Sequence, residues 1–244
     1  MAKRHVGRDR RLRELVAQEA ARVMYDEGVR DFHLAKRKAA QRLGAPLSRN
    51  LPSNSEIEEE RRRRQELFDD EAAEHVRRLR EVAIEALRFL ERFQPRLVGS
   101  VLLGTAGPHS DINIHAYADA AEELLIFLME RGVPHRCGDR RLRFGDRESY
   151  FCPTVSFSAE EVDIEVSVLP VARRTQPPRS NIDGRPMRRA SVDELRALLG
   201  EQAKPAAHGS HDGREHARKQ APQGSQGDAE SVISGLRPMP AGSS

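Results

Sequence analysis

Apolar residues recur along this chain with two different periods, and the change of period divides it. Leu12, Leu15, Val16, Ala20, Val23 and Met24 fall three and four residues apart, the spacing of one helical face, and Gly28 follows as a stop. The same reasoning predicts a second helix over Asp31–Leu43, ended by Gly44 and Pro46. The stretch 47–55, LSRNLPSNS, has loop composition. Ser53 with Glu56, and Ser55 with Glu58, each form the pattern of a capping box. A long helix is expected from about Glu56 to Arg92, roughly 55 Å at 1.5 Å per residue. Its apolar seam is Ala72, Val76, Leu79, Ala83, Ala86 and Leu90, widened by Val82 and Leu87.

After Pro95 the period falls to two. An apolar strand at Leu97-Val98 breaks at Gly99-Ser100, and a second strand begins Ser110-Asp111-Ile112-Asn113-Ile114. Alternation puts Asp111 and Asn113 on one face and the isoleucines on the other. The same rule puts Asp163 and Glu165 together in Val162-Asp163-Ile164-Glu165-Val166. Between these strands, Asp119–Arg131 reads as a helix with Asp119 as N-cap, Leu124, Leu125, Leu128 and Met129 as apolar face, and Gly132 as its end. Residues 140–146, RRLRFGD, read as a short edge strand. Tyr150–Phe157 and Glu161–Leu169 read as a hairpin about Ser158-Ala159-Glu160. Residues 171–190 are rich in Arg and Pro with a turn at Asp183-Gly184, and Ser191 with Glu194 opens a short helix to Leu199. These elements predict an α/β (α+β) fold, a small mixed sheet with helices on one side, preceded by a helical region. The segments are 1–92, basic and helical; 93–170, the core; 171–200, an extension; and 201–244, a Gly-, Ser-, Pro- and Gln-rich tail expected to be disordered.

Composition alters this picture in few places. Hydrophobic residues make up 38% of 244, there is no Trp, and mean hydropathy is −0.67, which agrees with a part of the chain staying unfolded. The net charge of +3 conceals an imbalance in residues 1–50, where thirteen Lys/Arg face six Asp/Glu. A basic arm of this kind could contact RNA phosphates. No aromatic residues interleave for base stacking, however, so solvated helix faces explain the charges better. Two cysteines, Cys137 and Cys152, make no disulfide framework and suit reduced thiols. The N-terminus has no apolar signal core, and the longest apolar run, Leu124–Met129, is too short for a bilayer. The expectation is a cytoplasmic protein with no membrane contact.

Two neighbouring strands with oxygen ligands on one face could hold a hard cation. Gly99-Ser100, ten intervening residues, Asp111-Ile112-Asn113 and a later acid at Glu165 or Asp163 form a recognisable order. Over roughly residues 93–170 it resembles the DNA polymerase beta-type nucleotidyltransferase superfamily, with Asp-x-Asn in place of Asp-x-Asp. The resemblance implies transfer of a nucleoside monophosphate from an NTP to an acceptor hydroxyl, with Mg²⁺ or Mn²⁺ as cofactor. It implies Asp111, Asn113 and Glu165 as metal ligands, and Asp111, Glu165 and Asp163 as the catalytic carboxylates. It further implies Gly99, Ser100 and Ser110 as the phosphate-contacting set. Asn113 removes one negative charge, which Asp163 would restore if it faced the same cavity. The alternatives are a nucleotide- or RNA-binding module that kept the fold without the chemistry, and a helical partner-binding protein organised by the Ala72–Leu90 seam.

Other motifs fall away. Gly99-x4-Gly104-Thr105 lacks the lysine of a phosphate-binding loop, and no G-x-S-x-G elbow occurs. Asp111 and His115 lie four apart in a strand, not on a helix, and His109 reads as a turn residue. His208, His211 and His216 are scattered through the tail. Arg140, Arg141, Arg143, Arg185, Arg188 and Arg189 are candidates to meet phosphate oxygens, most of them as surface charges.

Overall fold

The computed structural model describes residues 2–46, 51–67, 69–145 and 148–202. The histidine-bearing tail expected to be disordered lies outside the described residues from 203 onward. Helices α1 (Ala2–Asp26), α2 (Phe32–Arg42) and α3 (Asn54–Leu67) form the N-terminal region. Asp31 caps α2 by accepting from the Leu34 N–H at 2.6 Å. Ser53 and Glu56 form the reciprocal capping box of α3: Ser53 N–H donates to Glu56 at 2.6 Å, and Glu56 N–H donates to Ser53 Oγ at 3.2 Å. Ser55 does not form the second box. Its hydroxyl donates to the Ile182 carbonyl at 3.0 Å and ties α3 to the distant extension. The expected single helix from Glu56 to Arg92 is described as α3 and α4 (Asp69–Phe89). The two halves serve different cores. Ile57 of α3 joins Val16, Ala20 and Val23 of α1 and Ala35 and Ala39 of α2, whereas the α4 seam from Val76 to Leu90 joins the sheet.

That sheet has five strands: β1 (Arg96–Val98), β2 (Ile112–Tyr117), β3 (Arg136–Phe144), β4 (Glu148–Ala159) and β5 (Val162–Leu169), in the order β1-β2-β5-β4-β3. The β2–β5 pair is parallel and the others are antiparallel. Chain reversal between β4 and β5 takes only Glu160 and Glu161, at φ 49° and 66°. Positive φ at both turn residues matches the right-handed twist of the flanking strands. Strand β3 begins four residues before the expected Arg140. Its first half is exposed, so backbone pairing with β4, not an apolar alternation, defines it.

One sheet face is apolar. Leu97, Ile112, Ile114, Ala116, Ile164, Val166 and Val168 pack with α4, α6 (Glu122–Glu130) and α7 (Val192–Gln202) in one core. Phe127 of α6 meets Phe89 and Phe93, each with ring centroids 5.2 Å apart. Asp119 does not cap α6. Glu123 does so from inside, accepting from the Asp119 and Ala120 N–H groups at 3.1 Å each. Ser191 and Glu194 cap α7 as expected. The architecture is therefore α+β with a helical N-terminal region. Among the described residues no helix is long and apolar enough to cross a membrane.

Candidate functional site

The opposite sheet face carries the chemistry. Asp111, immediately before β2, and Asn113 within it project with His115 on this face, and Glu165 on β5 lies directly beside Asn113 in the parallel register. Gly99 leads from β1 into the short helix α5 (Ser100–Leu103) at φ 79° and ψ −157°, a backbone state that glycine alone adopts readily. Buried Arg80 of α4 holds this turn from below, donating to the Val101 and Leu102 carbonyls at 3.1 Å each. Desolvation draws the Arg80 pKa down from its ordinary value.

The N-terminal helices close the site. Gly28, at φ 66°, lies so near His109 that a Cβ there would come within 2.9 Å of the His109 Cβ, so the α1–α2 connection rests on the loop leading to β2. Glu58 of α3 fastens the same loop. It accepts from the Thr105 hydroxyl at 2.5 Å and from Arg61 at 2.9 Å, and Arg61 also donates to the Thr105 carbonyl. This buried polar network sets the wall of a cavity of about 310 Å³.

The cavity has two characters. Tyr25, Phe32, Leu103 and Met187 supply apolar surface. Arg30, Arg61, Arg140, Arg141, Arg143 and Arg179 line it against two carboxylates, Glu58 and Asp111. Gly99, Ser100, Ser110, Asp111 and Asn113 all border it. Ser110 is engaged in its own turn, its hydroxyl accepting from the Gly107 N–H at 2.9 Å. Asp163 lies on an exposed stretch of β5, accepts from Ser158 at 3.0 Å, and lines a cavity of about 180 Å³ with Arg30, Asp111 and Glu165. It borders a neighbouring cavity of about 470 Å³ that shares Arg30 and Asp111 with the first.

Arginines engage the acidic positions. Arg30 pairs with buried Asp111 at 2.9 Å. Arg140 reaches from β3 across β4, donates to Asn113 Oδ1 at 2.8 Å and pairs with Glu165. Among the described residues no group of three or more His, Cys, Asp or Glu gathers where it could hold a metal ion. Asp111 and Glu165 are each paired with a guanidinium and Asn113 is neutral, so a divalent cation does not fit the site unless Arg30 and Arg140 give way. Of the remaining arginine candidates, Arg189 donates to the Tyr117 hydroxyl at 2.7 Å, and Arg185 and Arg188 do not line the cavity.

Two residues of the site face behave in ways no motif announces. His115 is almost fully buried and neither ring nitrogen has a hydrogen-bond partner. Burial, reinforced by Arg189 and Arg140, pushes its pKa down to about 3. Cys152, free and buried, is pushed up to about 12 by desolvation, so it is an inert thiol. Arg30 also escapes sequence reasoning because it lies 81 residues from Asp111. Its placement between Gly28 and the Asp31 cap is the sole local sign that it is held. No family model, curated protein or solved structure matches this chain.

Proposed function

We propose that this protein binds a nucleotide in the arginine-lined cavity, as a module of nucleotidyltransferase type. The observation that carries the reading is the cavity's composition: six arginines against two carboxylates, beside an apolar wall. Guanidinium groups bind phosphate oxygens in bidentate fashion, and Tyr25 and Phe32 offer surface for a base. The Gly99-Ser100 turn and the Asp111-x-Asn113 strand border the same space, as the resemblance implies for the triphosphate end.

A second reading is metal-dependent transfer of a nucleoside monophosphate to an acceptor hydroxyl, with Asp111, Glu165 and Asp163 as acids and Mg²⁺ or Mn²⁺ as cofactor. The side-by-side placement of Asn113 and Glu165 favours it. Arg30 and Arg140 would both have to release their carboxylates. RNA contact by the N-terminal region has less support, because Arg10, Arg13, Arg22, Lys38 and Arg42 are ion-paired with glutamates of the N-terminal helices.

Thermal unfolding with ATP, GTP, CTP and UTP tests the reading, each with Mg²⁺ and with EDTA. A nucleotide at a hundred times its Kd should stabilise the fold by about 2.7 kcal/mol. Asp111→Asn separates the two readings. If arginines bind the phosphates, it frees Arg30 and the nucleotide shift persists or grows. If a metal does, the shift disappears. No shift with any nucleotide in either condition would end the nucleotide reading.

A further inference from the structure

We infer that Arg140 is a built-in cation that takes the place of a divalent metal on the Asn113–Glu165 pair, and that Asn113 is neutral because the arginine is there. The inference rests on the nucleotidyltransferase-type placement of Asp111, Asn113 and Glu165, and it does not require that a nucleotide binds.

Geometry comes first. Asn113 and Glu165 are direct neighbours on parallel strands, so one group can reach both. One guanidinium does, donating from one amino nitrogen to the Asn113 carbonyl oxygen at 2.8 Å and setting the other in ion-pair contact with the Glu165 carboxylate, whose contacted oxygen has no hydrogen bond. The planar fork of arginine suits two acceptors side by side, which the point charge of lysine does not. Arg140 sits two strands from Glu165, and the intervening β4 presents Thr154 and Ser156, small residues over which a long side chain can lie.

Charge balance comes second. Arg30 pairs with Asp111 and Arg140 with Glu165, so each of these two acids has a guanidinium of its own. Asp111 is buried and Glu165 is mostly shielded, so a surplus charge would be poorly solvated. An aspartate at position 113 would set a second anion directly beside Glu165 with one Arg140 guanidinium between them, whereas asparagine adds an acceptor and no charge. The exchange of acid for amide and the presence of Arg140 are then one feature.

The test is Mn²⁺ binding to the full chain, read by the loss of the free-ion EPR signal. Binding that survives in Asp111→Asn is assigned to other sites, including the tail histidines, and subtracted. The wild type should show no saturable Mn²⁺ binding that depends on Asp111. The double variant Asn113→Asp/Arg140→Met clusters three carboxylates without their guanidinium and should bind Mn²⁺ at least about tenfold more tightly. Saturable binding by the wild type that Asp111→Asn abolishes would overturn the inference, whether or not the double variant folds. So would a folded double variant that binds no better than wild type. ATP affinity of the wild type provides the second measurement. Equal affinity in EDTA and in Mg²⁺ is expected, and strict Mg²⁺ dependence would overturn the role of Arg140 while leaving the nucleotide reading intact. Absence of ATP binding in both would end the nucleotide reading and leave Arg140 to be decided by Mn²⁺.

Discussion

The two faces of the β-sheet are made by the same strands, residue by residue in alternation, yet they are held by different physics. On the core face, Ile112, Ile114, Ile164 and Val166 are buried against helices and need only shape and apolar area. On the site face, Asp111, Asn113, His115 and Glu165 are polar: Asp111 and Glu165 are ion-paired, Asn113 is hydrogen-bonded, and neither ring nitrogen of His115 has a hydrogen-bond partner. The core face is stabilised by what surrounds it. The site face is stabilised only so far as its charges balance, and His115 shows what remains when a polar group is buried without a partner. The difference is that one face can be altered in volume and the other in charge, with separable consequences.

The largest effect expected is on the core face. Ile114→Ala removes a fully buried side chain from an interior strand of the sheet, and should destabilise the fold by about 2–5 kcal/mol. Urea unfolding measures this as a lower midpoint at unchanged slope. A loss under about 1 kcal/mol would mean that the core face is not the rigid face.

An intermediate effect, of a different kind, is expected at His115. Its folded pKa of about 3 lies below the ordinary 6.5, so the unfolded chain takes up the proton first as pH falls. Its stabilising contribution is whole above about pH 6.5 and drains away toward pH 3, at up to about 1.4 kcal/mol per pH unit for one proton. His115→Leu should therefore be flatter than wild type over this window and little changed at pH 7.5. Parallel stability-against-pH curves for the two proteins would show that His115 is not the acid-sensitive point of the site face.

The smallest effect is expected away from both faces. Arg63 pairs with Glu59 and Glu60 on the solvent side of α3, and Arg63→Ala should shift stability by no more than about 0.5 kcal/mol. A larger loss would mean that the Arg63 pairs carry more than a solvated, salt-bridged surface.

Much of this architecture could be read from local spacing. The periods of 3.6 and 2, the Ser53 and Ser191 capping boxes and the β4–β5 hairpin are short-range features, and each depends on residues within a few positions of one another. The failures are also instructive. The α3–α4 stretch serves two cores, a division that its continuous helical pattern does not announce. The Ala72–Leu90 seam looked open to a partner protein, yet Val76 to Leu90 are covered by the molecule's own sheet. The first half of β3 carries no apolar alternation because pairing alone defines it.

By itself, the sequence determined which residues share a face: alternation obliges Asp111 and Asn113, and likewise Asp163 and Glu165, to project together wherever their strands lie. It could not decide which of those pairs would meet, or what would meet them. The parallel β2–β5 register sets Glu165 beside Asn113, while exposed Asp163 accepts from Ser158 and lines a small cavity with Asp111 and Glu165. Arg30 reaches Asp111 from the N-terminal helices, and Arg140 reaches Glu165 across a strand. Long-range pairings of this kind depend on how distant segments pack, and no local period encodes them.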